Sequence, residues 1–327
     1  LRELDIELKK MGFKCPFLLM TSGGGLTTLD TSVKFPVRLV ESGPAGGAIL
    51  AAEIAKECGL DNVLSFDMGG TTAKICLIDG FTPQMTRTFE VARVYRNLKG
   101  SGLPLRIPAI EMVEIGAGGG SIAKVDEMKR ISVGPESSGA LPGPACYNQG
   151  GEDPTVTDAD VILGRIDPKD FAGGAVKLDP EKADLALRTA VGKKLELNGS
   201  LSAFGVSEIV DENMANAARV HAIEWGKDIS ARSMIAFGGA APLHALRLAE
   251  KLDINKVIIP SGAGVGSAIG FLRAPISYEV VRSRYISLQN FDPGIVNRLM
   301  KEMSEEARKI VASGAGASEL TEQRLAY

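Results

Sequence analysis

The sequence predicts an α/β fold, with mixed sheets flanked by helices. Two stretches carry that prediction. VLSFDMGGTTAKICLIDG, residues 63–80, sets two apolar runs, Val63 to Phe66 and Ile75 to Ile78, around a polar turn, which is the pattern of a strand hairpin. SMIAFGGAAPLHALRLAEKLDINKVIIP, residues 233–260, reads strand, glycine turn, helix, strand. Hairpins mixed with such units give a mixed sheet rather than an all-parallel one.

The remaining elements follow in order. Residues 1–11 form an amphipathic helix with Leu1, Leu4, Ile6 and Leu8 as its apolar residues, and they read as a helix from mid-protein, not as a signal peptide. FLLM, 17–20, is a short buried strand, and TSGGG after it is a loop. FPVRLV, 35–40, reads as a strand, followed by a Gly-Pro turn and a helix from about Ala45 to Cys58 that stops at Gly59. Residues 81–108 hold another strand pair and the loop NLKGSGLPLRIP. AIEMVEIGAGGGSIAKVD then repeats the design strand, glycine turn, strand.

The Gly- and Pro-rich insertion at 132–157 is expected to be ordered, because Cys146, Tyr147, Val156 and Val161 suit a packed loop better than a disordered one. Helices follow at about 158–164, 180–195 and 205–226, the second opened by the N-cap pair Asp179-Pro180. Pro242 to Lys251 is the helix of the second signature stretch, between strands Met234 to Phe237 and Lys256 to Ile259. A helix at about 264–273 and a charged one at 291–312 complete the pattern, with SGAGAS as a linker and a further strand starting near Tyr327.

The bulk numbers describe an ordinary globular chain. It has 327 residues, 45% hydrophobic and 24% charged, enough for two domains or one large one. A net charge of -3 leaves no electrostatic footprint for nucleic acid, and no apolar run approaches a membrane span. Cys15, Cys58, Cys76 and Cys146 lie far apart without CxxC spacing, which argues against a zinc ribbon or a disulfide framework and for a cytoplasmic protein with reduced thiols. The 38 glycines cluster, and the clusters carry the chemistry.

Glycine lets successive backbone N–H groups turn toward an anion with no Cβ in the way. In the first hairpin, Gly69 and Gly70 expose N–H groups, and the Thr71 and Thr72 hydroxyls add donors. Asp67 repels a phosphate directly, so its natural task there is to hold Mg through water. The bland reading is a tight turn in which Asp67 bonds its own loop. FGGAAP, 237–242, lies between a strand and a helix, where Gly238, Gly239 and Ala240 let a flat purine and its ribose lie against the backbone; close helix–strand packing is the bland reading. SGPAGG, 42–47, leads into a helix N-terminus, an anion site or simple packing.

DMGGTTAKICLIDG, IGAGGGSIAKVD, VGPESSGALPGPACYNQGGEDPTVTDADVILGRI, AFGGAAPLHA and VRLVESGPAGGA together resemble the hydantoinase A/5-oxoprolinase family, in order, through about Tyr285. That family includes N-methylhydantoinase A-type subunits, ATP-dependent 5-oxoprolinase, and subunits of acetone and acetophenone carboxylases. The resemblance implies an actin-like ATPase fold of two ribonuclease H-like lobes, with ATP and Mg or another divalent metal in the cleft. By resemblance, Asp67, Gly69, Gly70, Thr71 and Thr72 are similar to the second phosphate loop, and Gly238, Gly239 and Ala240 to the adenosine motif. It also implies a cyclic amide substrate and a hydantoinase B-type partner subunit, with a homo-oligomer as a further option.

The chain departs from the family pattern in three ways. No D-x-G-G-T loop precedes Asp67, so the chain reads as a central fragment: 1–60 closes a preceding lobe and its connecting helix, 61–285 is the ATPase-like core, and 286–327 starts a C-terminal region. Glu111-Met112-Val113 stands where many members carry D-x-H, which puts a metal site there in doubt. Lys74 stands where many members carry an acidic residue; it either neutralises phosphate charge or lies on the solvent face.

Other candidates for substrate or metal contact are Glu111 and Glu114 beside the second glycine turn, Cys146, Asp158, Asp160 and His244. Cys146 shows no activating base and reads as structural or substrate-lining. Asp158 and Asp160 either cap a helix, through Thr157 or Asp158, or bind metal. His244, on the first turn of its helix, either touches ligand or metal or packs in the lobe, whereas His221 reads as structural. Three functions fit these residues: an ATP-dependent hydrolase opening a cyclic amide, in which Asp67 serves catalysis; the ATP-using subunit of a ketone carboxylase; or a binding lobe inactive without its missing domain and partner.

Overall fold

The computed structural model describes residues 1–91, 100–315 and 319–324. The chain divides into two units that interleave along the sequence: Leu1–Ile49, Met85–Ile110 and Gly270–Tyr327 form one, Leu50–Gln84 and Glu111–Ile269 the other. The expected contiguous stretch 61–285 is therefore shared between them.

In chain order the first elements are α1 (Arg2–Lys10), β1 (Leu18–Met20), β2 (Leu26–Thr28), α2 (Leu29–Lys34) and α3 (Ser42–Glu57). Pro36–Leu39 is a 3-10 helix and not the expected strand. Proline at its first position fixes φ and removes a donor that a strand ladder would use. The Gly43-Pro44 turn is likewise absorbed into the first turn of α3, where proline is tolerated. Gly59 ends α3 at φ +64, with Leu60 N–H donating to Ala55 at 2.9 Å. The hairpin follows as β3 (Asn62–Met68) and β4 (Ala73–Asp79), then β5 (Thr82–Pro83). Back in the first unit are β6 (Met85–Thr86), β7 (Phe89–Val91), β8 (Leu103–Leu105) and β9 (Ala109–Ile110), in which β6 pairs β9 and β7 pairs β8.

The second unit resumes with β10 (Val113–Ile115), β11 (Ser121–Val125), β12 (Ile131–Ser137), α4 (Val156–Ile162), α5 (Pro180–Leu187), α6 (Lys193–Leu195), α7 (Gly199–Glu224), β13 (Ser233–Phe237), α8 (Ala241–Lys251) and β14 (Val257–Ile258); the unit boundary then falls within α9 (Gly266–Arg273), after Ile269. A π turn, Arg188–Gly192, joins α5 to α6. The last helix, α10 (Pro293–Ala315), runs through the first half of the expected SGAGAS linker; residues 316–318, and the expected strand at Tyr327, lie outside the described residues.

The central sheet of the second unit has the order β10-β4-β3-β13-β14, with β5 on β4. β10, β4 and β3 are antiparallel neighbours, whereas β13 runs parallel to both β3 and β14. Leu64, Phe66, Met68, Ile75 and Leu77 are fully buried and share one core with Val206, Val210 and Met214 of α7 and Ala245 and Leu248 of α8. The two strands around the second glycine turn do not pair with each other as the first hairpin does. β10 joins the central sheet beside β4, and β11 leaves to pair with β12.

The lower end of the central sheet is closed by Arg232. Its guanidinium donates to Val63 O, Ile78 O and the Asp79 carboxylate at 2.6–3.2 Å. Among the described residues no helix is long and apolar enough to cross a membrane. All four cysteines are free thiols.

Candidate functional site

β3 hands the chain to β4 on one side of the sheet, and β13 hands it through α8 to β14 on the other. The carboxyl ends of β3 and β13 therefore border a switch point, where ligands of open α/β sheets bind. Both glycine motifs lie there. Asp67 is paired in register with Phe237, and Ala240 N–H donates to Met68 O at 2.9 Å. Gly238 has φ +99, and a Cβ on it would lie 2.4 Å from Met68 O and 2.5 Å from Asp67 Oδ1, so this approach needs glycine. Gly69, Gly70 and Gly239 face open space instead.

The orientation of the turn follows from its hydrogen bonds. Gly69 O accepts from Gly119 N–H at 3.0 Å, and Gly70 O accepts from Gly120 N–H at 2.7 Å. A trans peptide points its C=O and the next N–H in opposite directions, and neither peptide is cis. With both carbonyls turned inward, the N–H groups of Gly70 and Thr71 point away from the protein, at exposed residues. Gly69 N–H closes the turn on Thr72 O at 3.1 Å. The second glycine turn is thus the bed of the first. Gly118 lies so close that a Cβ would sit 2.6 Å from Thr71 N and C. Gly119 is gripped in its turn by Thr157 of α4, whose N–H and Oγ1 donate to Gly119 O at 2.7 and 2.8 Å.

Asp67 is partly buried. Burial raises its carboxyl pKa, opposed by the Ser267 hydroxyl, which donates to Oδ2 at 3.0 Å, and by the charge of Lys74. Ser267 and the Gly118–Gly120 bed are site residues that the sequence reading missed. The glycine-rich run SGAGVGSA, 261–268, was the available signal for Ser267, since glycines let that loop reach the strand ends; Gly266 packs its Cα on the Phe237 ring. Lys74 is not on the solvent face. Its side chain is 19% exposed, with Nζ 2.6 Å from Thr72 Oγ1 and 3.3 Å from Glu114 Oε1.

The other candidate residues are brought elsewhere, and most are already engaged. Thr155, not Thr157 or Asp158, is the N-cap of α4, and Asp158 completes its capping box. The buried Asp158 carboxylate accepts from Ala145 N, Cys146 N, Thr155 N and Thr155 Oγ1 at 2.7–3.2 Å, which leaves it no role as a metal ligand. Cys146 is buried beside it, and burial together with the Asp158 charge pushes its thiol pKa up, the opposite of what a nucleophile needs. Glu111 lies just before β10, its N–H donating to Gln84 O at 2.7 Å. Glu114 is at the sheet edge, paired with Lys74.

His244 and Asp160 do meet, but in the core and not at the site. His244 is fully buried, with Nδ1 2.7 Å from Asp211 Oδ1 and Nε2 3.2 Å from Asp160 Oδ2. Arg165 Nη1 donates to Asp160 at 2.9 Å and to Ser207 at 2.8 Å, and Ser207 Oγ reaches Asp211 at 3.4 Å. This closed ring ties α4, α7 and α8 together. It is an internal ion cluster, and among the described residues no group of three or more His, Cys, Asp or Glu gathers to hold a metal.

The site is a glycine turn at the carboxyl ends of adjacent parallel strands of a mixed α/β sheet. The profile of the family described as Hydantoinase/oxoprolinase matches residues 1–280. The chain belongs to this family. An uncharacterized protein of Methanocaldococcus jannaschii is 39% identical over 308 residues, covering 93% of this chain and 45% of that protein. Caprolactamase subunit alpha of Pseudomonas jessenii is 32% identical over 307 residues, covering 93% and 43%. The nucleotide-free structure of acetone carboxylase is similar with a TM-score of 0.79 at 27% identity, covering 94% of this chain and 43% of that one. The chain thus spans less than half the length of the relatives it matches.

Proposed function

We infer that this chain is the ATP-binding part of a hydrolase that opens a cyclic amide of the hydantoin or 5-oxoproline type. Transfer of the γ-phosphoryl group to the amide oxygen makes the carbon electrophilic and releases ADP. Water then adds to that carbon, the C–N bond breaks as the nitrogen leaves as an amine, and a second water cleaves the resulting acyl phosphate to a carboxylate and free phosphate. The protein's share in such a transfer is positioning and charge stabilisation. The observation that carries the reading is the inward carbonyls of Gly69 and Gly70, which leave the N–H groups of Gly70 and Thr71 aimed outward. Gly238, Gly239 and Ala240 form the neighbouring surface for the nucleoside. The strand order of the second unit supports a ribonuclease H-like lobe, as in actin-like ATPases.

Asp67 is the carboxylate on the strand that leads into the turn, and Glu114 beside it is paired with Lys74. That donor set fits a Mg ion held chiefly by phosphates and water, with Asp67 as its contact through water, and not an ion caged by protein. When bound, Mg supplies charge neutralisation on the phosphates. Asp67 is kept in place for this by Ser267, and the bed of Gly118 to Gly120 keeps the turn from collapsing.

The similarity to acetone carboxylase favours a second reading, an ATP-using subunit of a ketone carboxylase. Caprolactamase and the carboxylases are built of subunits, as their names state, which supports activity only together with a hydantoinase B-type partner. The full-length protein assayed with that partner separates these readings. Phosphate release from ATP that requires a cyclic amide and ignores bicarbonate is the expected result. Release that requires bicarbonate and a ketone would replace the hydrolase with the carboxylase.

A further inference from the structure

The row of residues across the strand ends places a cation where the phosphate reading needs one. Asp67 on β3 pairs in register with Lys74 on β4, and Lys74 pairs in register with Glu114 on β10. Directly opposite residues of antiparallel strands point to the same face. Lys74 therefore stands between two carboxylates on one face, and its Nζ hydrogen-bonds Thr72 Oγ1 at the edge of the turn. An ammonium group has donors only, so Thr72 accepts from it. The Thr72 hydroxyl therefore keeps its own proton free to donate to another acceptor. Without Lys74, the face would carry two negative charges beside a phosphate; with it, one.

We propose that Lys74 is the residue of this chain that neutralises bound phosphate and fixes Thr72 as a donor to it, so that the turn holds a nucleoside diphosphate without help from a divalent ion. This rests on the phosphate-binding reading of the Gly69–Thr72 turn. On binding, the ammonium shifts its pairing from Glu114, which is half exposed, toward the phosphate. A charged hydrogen bond to phosphate is among the stronger ones available.

The test is titration of ADP into the purified chain in EDTA, for the native protein, Lys74→Met and Lys74→Arg, at low and high salt. The native chain is expected to bind. Lys74→Met is expected to bind at least about tenfold more weakly and to lose part of the salt dependence, and Lys74→Arg to stay within about threefold. Equal affinity of the native chain and Lys74→Met would overturn the proposal while leaving the phosphate turn standing. Failure of the native chain to bind ADP or ATP in EDTA and in Mg would overturn both. If Lys74→Met fails to fold, Glu114→Gln serves instead. It frees the ammonium from its other partner and is expected to tighten ADP binding; unchanged or weaker binding would sink the proposal.

Discussion

Replacing His244 with alanine is expected to destabilise the second unit by about 3–5 kcal/mol, the cost of leaving a buried charge without its partner. The geometry states why. Both ring nitrogens face carboxylate oxygens, Asp211 at 2.7 Å and Asp160 at 3.2 Å. A neutral imidazole has one N–H and would aim a lone pair at one of them. The imidazolium form satisfies both, and with Arg165 it balances the two carboxylates. Burial alone would lower the His244 pKa; the hydrogen bonds its ring N–H groups donate to Asp160 and Asp211, with the charges of those carboxylates, outweigh it and raise the pKa to about 9.

The sign of the pH effect follows. The folded pKa lies above the ordinary histidine value of about 6.5. The contribution to stability is therefore complete below that pH and fades as pH rises through about 9. Urea unfolding of the native chain at pH 6 and pH 9.5 is expected to show this loss, and His244→Ala to be weak at both. A variant as stable as the native chain would contradict the ion-cluster account. Because α4 grips Gly119 through Thr157, the variant is also expected to loosen the Gly69–Thr72 turn.

Gly118→Ala is expected to deform the Gly69–Thr72 turn directly. Its Cβ would lie 2.6–2.7 Å from backbone atoms of Gly70 and Thr71, which cannot swing aside as a flexible side chain can. Overpacking of this kind costs about 1–3 kcal/mol of stability. Here the displaced atoms are the presented turn itself, so nucleotide affinity is expected to fall at least about tenfold, or about 1.4 kcal/mol. Gly43→Ala, which meets nothing within 4 Å, is the neutral comparison. Equal nucleotide affinity in both variants would show that the bed does not shape the site.

The elements that sequence reasoning placed well are those whose signal is local. The hairpin at Asp67 and the strand–helix–strand unit at Gly238 stand as expected because short apolar runs and the glycines that interrupt them act within a few residues. The reading of Phe35 to Val40 as a strand failed because Pro36 fixes φ and removes a ladder donor, and Pro36–Leu39 forms a 3-10 helix. The AIEMVEIGAGGGSIAKVD stretch matched the first hairpin in pattern, yet its strands went to different sheets. A local pattern does not say which strand will be the partner. The same limit governs the site. Asp67 and the glycines stand out as candidates by type and spacing, whereas Ser267 is 200 residues from Asp67, and His244 is 84 from Asp160. Their meeting is a property of packing, which also explains why Asp158, Asp160 and His244, plausible ligands by type, are in fact a cap and an ion cluster.

The central claim is that Asp67 and the Gly69–Thr72 turn bind the phosphates of ATP. Isothermal titration of ATP with Mg into the purified chain and into Asp67→Ala tests it most directly. The account predicts saturable binding by the native chain and a loss of at least about tenfold in the variant, with the fold intact by circular dichroism. Binding that is equally strong in Asp67→Ala would contradict it and place the nucleotide elsewhere.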